Sequence, residues 1–150
     1  PFVARWPGHI VPGTVCDEMV VSGLDLAATF VDVAGAERPA SFEGTSLLTT
    51  LAEGSGREDV YATYVGSQFG LFSQRSVRDR RYKYVWNAVA EDELYDLDAD
   101  PGELTNRGTD PALAGELARL RGRLLAWFEQ TRDPLLNGWI REQLTLGRKV

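Results

Sequence analysis

The chain has 150 residues, with 22 acidic against 16 basic side chains, a formal charge of −6 and a pI near 4.8. This length allows about one domain, and 43% hydrophobic with 25% charged residues describes an ordinary globular chain rather than a disordered one. One Cys and one His exclude a disulfide framework, a Cys/His finger and a three-His zinc site, and the acidic balance argues against a general nucleic-acid binder.

No run of about 18 apolar residues occurs, so no membrane span is expected. The longest candidate, Val20 to Ala36, is broken by Ser22, Asp25 and Asp32. The opening, Pro1 to Gly8, carries neither a leader nor an initiating Met and is apolar from its first residues. It reads as the middle of a strand, so the chain is expected to be a piece of something longer. Its compartment is left unassigned.

Phe2 to Trp6 reads as a short strand closed by Pro7-Gly8, and Pro12-Gly13 is a second turn; the loop between them holds His9. Ser22 begins a helix, with Ser22-Gly23-Leu24-Asp25 as cap and Asp25 in the favourable first turn. Leu24, Ala27, Ala28, Val31 and Ala34 recur at helical spacing, and Gly35 supplies a stop. Leu26, Phe30 and Val33 make the helix apolar on further faces, as in a layered α/β domain. A short helical turn is expected around Leu47 to Leu51, and Gly54 to Asp59 reads as an exposed boundary loop.

Beyond that loop the pattern becomes β-like. Val60 to Val65 reads as a strand, Gln74 to Val77 and Arg81 to Trp86 as a hairpin, and Glu93 to Leu97 as a further short strand. Tyr82, Tyr84 and Trp86 share one face of the second hairpin arm, with Arg81, Lys83 and Val85 on the other. Asp110-Pro111 opens a helix, capped by Asp with Pro in the first turn. Leu113, Leu117, Leu120, Leu124 and Trp127/Phe128 form its stripe. Residues 60–130 should therefore make a four-stranded, mainly antiparallel sheet with this helix across one face. Asp133-Pro134 ends the pattern, and a weakly ordered tail is expected after it.

Asp96, Asp98 and Asp100 have the 1-3-5 spacing of a calcium loop, but Pro101 stands where Gly is required and Arg107 where the closing Glu should be. The plainer reading is an acid-rich turn whose carboxylates bond local amides. Arg75, Arg78, Arg80, Arg81 and Lys83 crowd into nine residues among aromatics. An RNA-binding sheet would stack bases on such aromatics; a packed aromatic face opposite a solvated charged face is the simpler account. Arg forks can also receive sulfate or phosphate. Cys16, flanked by Asp17 and Glu18, lacks the surroundings of a nucleophile. No Gly-x-Ser-x-Gly elbow, P-loop or Gly-x-Gly-x-x-Gly is present, so the residues alone show no complete catalytic site.

Four segments, in order, resemble the sulfatase family. Pro1-Phe2-Val3-Ala4-Arg5-Trp6-Pro7-Gly8 with Pro12-Gly13 resembles its "VPfiarWPG…pG" strand and turn. Val21-Ser22-Gly23-Leu24-Asp25-Leu26-Ala27-Ala28-Thr29, then Gly35 and Gly44-Thr45-Ser46-Leu47, is similar to "vS.lDl.PT" followed by "G.SL". Arg75-Ser76-Val77-Arg78 with Arg81-Tyr82-Lys83-Tyr84 and Asn87 is similar to "RaVR…ryKYi.N". Glu93-Leu94-Tyr95-Asp96-Leu97 with Asp100-Pro101-Gly102-Glu103 and Asn106 is similar to "eLYDL..DP.E..N". The Leu-rich helix ending in Trp127, followed by Thr131 to Pro134, leans toward the arylsulfatase/heparan N-sulfatase-like branch. Two departures stand out. Ala28 replaces the usual helix Pro, and residues 66–71 lack the His-Glu pair often seen before the "RaVR" strand.

The resemblance implies an α/β, alkaline phosphatase-like sulfatase fold, of which this chain is a C-terminal fragment. Residues 1–55 would be the end of the large α/β domain, and residues 56–150 the C-terminal α+β subdomain with its tail. It implies a parent that hydrolyses sulfate esters or sulfamates, with a formylglycine and calcium. The motifs for those groups have no match here: Cys16 is followed by Asp-Glu-Met, and no catalytic or metal residue carries over. The fragment alone is expected to be inactive, to need its N-terminal sulfatase domain as partner, and to meet a sulfated glycan or small sulfate ester through the parent. Arg75, Gln68 and Tyr64 are its candidate substrate contacts. For Arg75 the alternative is a structural role, bonded to the acidic turn Asp96–Asp100. Two other functions stay open: a free-standing anionic-glycan-binding module, and a fragment of a related phosphonate or phosphate-ester hydrolase.

Overall fold

Helix α1 runs from Ser22 to Val33 and α2 from Leu47 to Glu53. In the computed structural model, residues 2–18, 22–54, 56–66, 72–147 and 149 are described. The chain divides into two compact units, Pro1–Arg57 and Glu58–Val150.

The first unit is held by polar contacts between α1 and the turn before α2. Asp25 is buried; its Oδ1 accepts from the Thr45 amide at 2.8 Å and from Arg57 at 2.6 Å. Thr29 donates to the Asp25 carbonyl at 2.6 Å and accepts from the Leu47 amide at 2.8 Å. Ser46 caps α2 through the Leu48 amide. Gly44 packs so closely on α1 that a Cβ there would fall 2.0 Å from the Leu24 carbonyl oxygen, which only glycine tolerates. These two segments thus form a hydrogen-bonded corner.

The expected strand Phe2–Trp6 does not form among the described residues; residues 2–6 make no ladder. An isolated extended segment has no neighbour to satisfy its amides, so nothing fixes it as a strand. The turns that follow do form, with Gly8 and Gly13 at positive φ.

The second unit is a four-stranded sheet in the order β1-β2-β3-β4, comprising β1 Val60–Tyr64, β2 Gln74–Arg78, β3 Tyr82–Asn87 and β4 Glu93–Asp96. Every pairing is antiparallel, with Tyr64 opposite Gln74, Val77 opposite Tyr84, and Tyr84 opposite Leu94. A 3-10 turn at Pro111–Leu113, capped by Asp110, leads into α3, Ala114–Thr131. One face of the sheet meets this helix. Val77, Tyr84, Trp86 and Leu94 pack with Leu117, Leu120, Leu124 and Phe128 in one buried cluster, while Leu113 and Trp127 lie at its half-buried rim. Each fully buried side chain of this kind stabilises the fold by about 1.5–3 kcal/mol. Trp127 stacks on Tyr61 with ring centroids 5.1 Å apart, and Phe128 meets Trp86 edge-on at 5.9 Å.

The tail expected to be weakly ordered instead carries a helix, α4, Gly138–Leu146. Asn137 caps it by accepting from the Ile140 amide at 2.9 Å, and Gly147 closes it in the left-handed region. Ile140 and Leu144 enter the same core. Their spacing with Leu136 is the helical i, i+4, i+8 series, which the breakers Asp133-Pro134 and Asn137-Gly138 mask.

Candidate functional site

Residues Tyr64 and Gln74 form the last pair of the β1–β2 ladder, where the two strands open into their connecting segment. The three candidate contacts lie in or beside this segment. Gln68 falls outside the described residues. Tyr64 is 55% exposed and stands on the sheet face opposite α3. There, with Ala62, Thr63, Gln74, Ser76, Lys83 and Val85, it lines a shallow cavity of about 140 Å³. Gln74 is fixed on this face by its amide, which donates to Asn87 Oδ1 at 2.6 Å.

Arg75 points the other way, into the core, and is 4% exposed. Its Nε donates to Asp133 Oδ2 at 2.6 Å and its Nη2 to Oδ1 at 3.2 Å, a two-pronged fork. Its Nη1 donates to the Gln74 carbonyl at 2.9 Å and lies 3.5 Å from the Tyr64 carbonyl. The carboxylate partner is therefore Asp133, not the acidic turn Asp96–Asp100. The reason is strand alternation: Arg75 shares the core face of β2 with Val77, and the corner after α3 brings Asp133 onto that face. Asp133 is the member that sequence reasoning missed, because 58 residues separate it from Arg75.

Asp96 bonds Arg81 instead, at 2.8 and 3.1 Å. This guanidinium holds the Asp96 carboxyl below the usual carboxylate range. Asp96 also accepts from the Asp98 amide, and Asp100 accepts from the Thr105 amide at 2.8 Å. Their oxygens are spent on an arginine and on backbone amides, so the calcium spacing does not make a calcium cage. No cluster of three or more metal-ligating side chains occurs among the described residues.

Three of the five cations of the hairpin are committed to carboxylates. Lys83 pairs with Glu103 at 2.5 Å, Arg81 with Asp96, and the buried Arg75 with Asp133. On the adjoining surface Arg119 pairs with Asp79 and Glu116, and Arg123 with Asp59. Acidic side chains thus interleave with the basic ones across this surface. His9 stacks on Trp6 with centroids 3.8 Å apart, and Cys16 is exposed. No helix is long and apolar enough to cross a membrane among the described residues.

The four-stranded antiparallel sheet covered on one face by α3 and α4 lies in a chain whose fold superposes on solved sulfatases, among them a 2-O GAG sulfatase at 34% identity with a TM-score of 0.63, covering 73% of this chain and 25% of that chain. Residues 1–130 match the family described as N-sulphoglucosamine sulphohydrolase, C-terminal, and the chain belongs to the sulfatase family. It is 28% identical to an ulvan-active sulfatase of Formosa agariphila over 93% of this chain and 35% of that protein. It is 31% identical to a Delta 4,5-hexuronate-2-O-sulfatase of Bacteroides thetaiotaomicron over 89% of this chain and 29% of that one. A structure solved in complex with its substrate, D-glucosamine-2-N,6-O-disulfate, superposes with a TM-score of 0.64 at 28% identity, covering 74% of this chain and 24% of that chain. The chain thus spans about a third of the length of these curated relatives.

Proposed function

We propose that this chain is the C-terminal portion of a sulfatase that releases sulfate from a sulfated glycan. The observation that carries this reading is the match of residues 1–130 to the C-terminal family of an N-sulphoglucosamine sulphohydrolase. Relatives whose printed substrates are sulfated sugars support it. Residues 1–55 are read as the end of the large α/β domain and 56–150 as the C-terminal subdomain, with the N-terminal sulfatase domain as their partner. The nucleophile, expected as formylglycine, and the calcium belong to that domain. The carboxylates of this chain described above are spent on arginines and amides, and none is assigned to the reaction.

The contribution of these 150 residues is scaffold and substrate selection. Tyr64 offers an exposed ring and hydroxyl beside Gln74 and Ser76, a surface suited to a sugar's apolar face and hydroxyls. Gln68 is proposed as a second contact. Arg75 serves this end of the sheet from behind, through the backbone, rather than by reaching the sulfate.

The test is sulfate release by the full-length protein from a panel of sulfated glycosaminoglycan and ulvan oligosaccharides, with a phosphonate monoester as the rival substrate. Release from a sulfated glycan, abolished by chelation of calcium, is the expected result. Cleavage of the phosphonate ester with no sulfate release from any member of the panel would overturn the reading.

A further inference from the structure

We infer that Asp133 is a positioning residue for substrate binding: through Arg75 it clamps the open end of the β1–β2 ladder and so fixes Tyr64. This rests on the reading of Tyr64 as a substrate contact. Among the described residues strand β1 is an edge strand, paired with β2 alone, and Tyr64 is its last residue. An edge strand end frays readily, since each lost pair frees one residue at little cost in packing. Here two carbonyls at that end, of Tyr64 and Gln74, are gathered by one guanidinium nitrogen. A guanidinium on a free side chain would carry no information about position. This one is buried and held by both oxygens of Asp133.

Asp133 is itself immobilised by its own backbone. Its amide donates to the Phe128 carbonyl at 3.0 Å, and its Oδ1 accepts from the Leu135 amide at 2.9 Å. The preceding residue, Arg132, turns the chain out of α3 in the left-handed region. The carboxylate is thus set by the corner between α3 and α4, and the corner is anchored by Phe128 in the core. A rigid path runs from the helical corner to Asp133, to Arg75, and to the backbone that carries the Tyr64 ring. Tyr64 is exposed, so its ring gains little fixation from packing, and backbone placement decides where it stands. A contact side chain that is no longer held in place must be ordered by the substrate itself, and that cost is read in binding.

The experiment compares Asp133→Asn, Arg75→Lys, Tyr64→Ala and the double variant Asp133→Asn/Tyr64→Ala in the full-length protein. Asn keeps the Leu135 cap but removes the charge, and Lys keeps the charge but not the second prong. The expected result is a KM for the sulfated glycan raised about tenfold by Asp133→Asn or Arg75→Lys with kcat within about twofold. The double variant should show no further loss beyond Tyr64→Ala. Amide hydrogen exchange should quicken in peptides covering Tyr64 and Gln74, and stay unchanged at the Val60 end of β1. An additive double variant, a fall in kcat at constant KM, or unchanged exchange at Tyr64 would each overturn the inference. If the wild-type protein releases sulfate from no glycan, the proposed function fails. The exchange data then judge the clamp alone: loosening confined to the Tyr64 end supports it, and none, or loosening of the whole sheet, refutes it.

Discussion

The indole N–H of Trp86 on β3 donates to Gln143 Oε1 on α4 at 3.2 Å, with both side chains buried. This bond joins the sheet to the last helix across 57 residues of sequence. Gln143→Leu leaves the indole donor without a partner, and the cost should be about 1–3 kcal/mol in spite of the added apolar surface. In a double-mutant cycle with Trp86→Phe, the two changes should couple by about 0.5–1.5 kcal/mol. Urea unfolding of the four proteins measures this, and strict additivity would show that the bond contributes nothing.

The Arg75–Asp133 pair is the other buried link between sheet and helices. Removing only the cation strands a carboxylate away from water, so Arg75→Ala should cost about 3–5 kcal/mol. The double variant Arg75→Met/Asp133→Asn removes both charges and preserves the acceptor for the Leu135 amide. It should recover most of that loss in thermal or urea denaturation. A double variant no more stable than Arg75→Ala would mean that the guanidinium's bonds to the Gln74 and Tyr64 carbonyls carry the stability instead.

These two links mark the limit of what was legible in the sequence. The four strands and α3 follow from alternation and from the Leu113–Phe128 stripe, because a sheet face and a helix stripe each repeat within a few residues. Helices α1 and α2 follow from local spacing, but the bonds that join them, Thr45 to Asp25 and Leu47 to Thr29, are long-range and were not legible. What sequence reading misses is long-range and one-off. Asp133 reads locally as a helix stop, and only the folded chain shows its carboxylate beneath Arg75. Helix α4 is hidden by Asp-Pro, which belongs to the corner before it, and by Asn-Gly, which begins it rather than prevents it. Phe2–Trp6 has the composition of a strand, but strand formation is settled by a partner and not by composition.

Stability should fall at both ends of the pH scale for identifiable reasons. The Asp96 carboxyl is held low by Arg81, and that of Asp110 by Arg107 and the Ala112 amide. A carboxyl with a depressed folded pKa stabilises the fold above its unfolded value and loses that contribution as pH drops through the folded value. The acid limb should therefore lie below about pH 4, and Asp96→Asn should flatten it. In the other direction, burial and then Asp59 push the Tyr61 hydroxyl up to about 12. Its contribution is complete below the unfolded value near 10 and is lost as pH rises toward 12. Tyr61→Phe should flatten the alkaline limb, read by circular dichroism against pH. Unchanged limbs in both variants would remove these groups from the account.

The unit Pro1–Arg57 should be adhesive when this chain is studied alone. Its buried side chains are mostly polar, namely Asp25, Ser46 and Thr50 beside Ala28, while Phe2, Val3, Val11, Val15, Phe30 and Val33 are exposed. An apolar surface of this extent marks a face that another part of a protein covers. The purified chain should bind a hydrophobic dye or self-associate, and the full-length protein should do neither. A monomeric chain without dye binding would favour a free-standing module.

The same chain should release no sulfate from any sulfate ester. Sulfate transfer needs an activated nucleophile, a cation to balance the ester's charge and groups that move protons, all within one cleft. Here Cys16 lacks the Pro/Ala and Arg that mark a formylglycine precursor. Asp96, Asp98 and Asp100 face Arg81 and backbone amides rather than one another. His9 lies stacked against Trp6. Incubation of the purified chain with 4-nitrophenyl sulfate and with a sulfated disaccharide, calcium present, should give no release above buffer, while the full-length protein turns over the disaccharide. Release by the chain that disappears in Cys16→Ala would place the nucleophile within these 150 residues and overturn the division of labour proposed above.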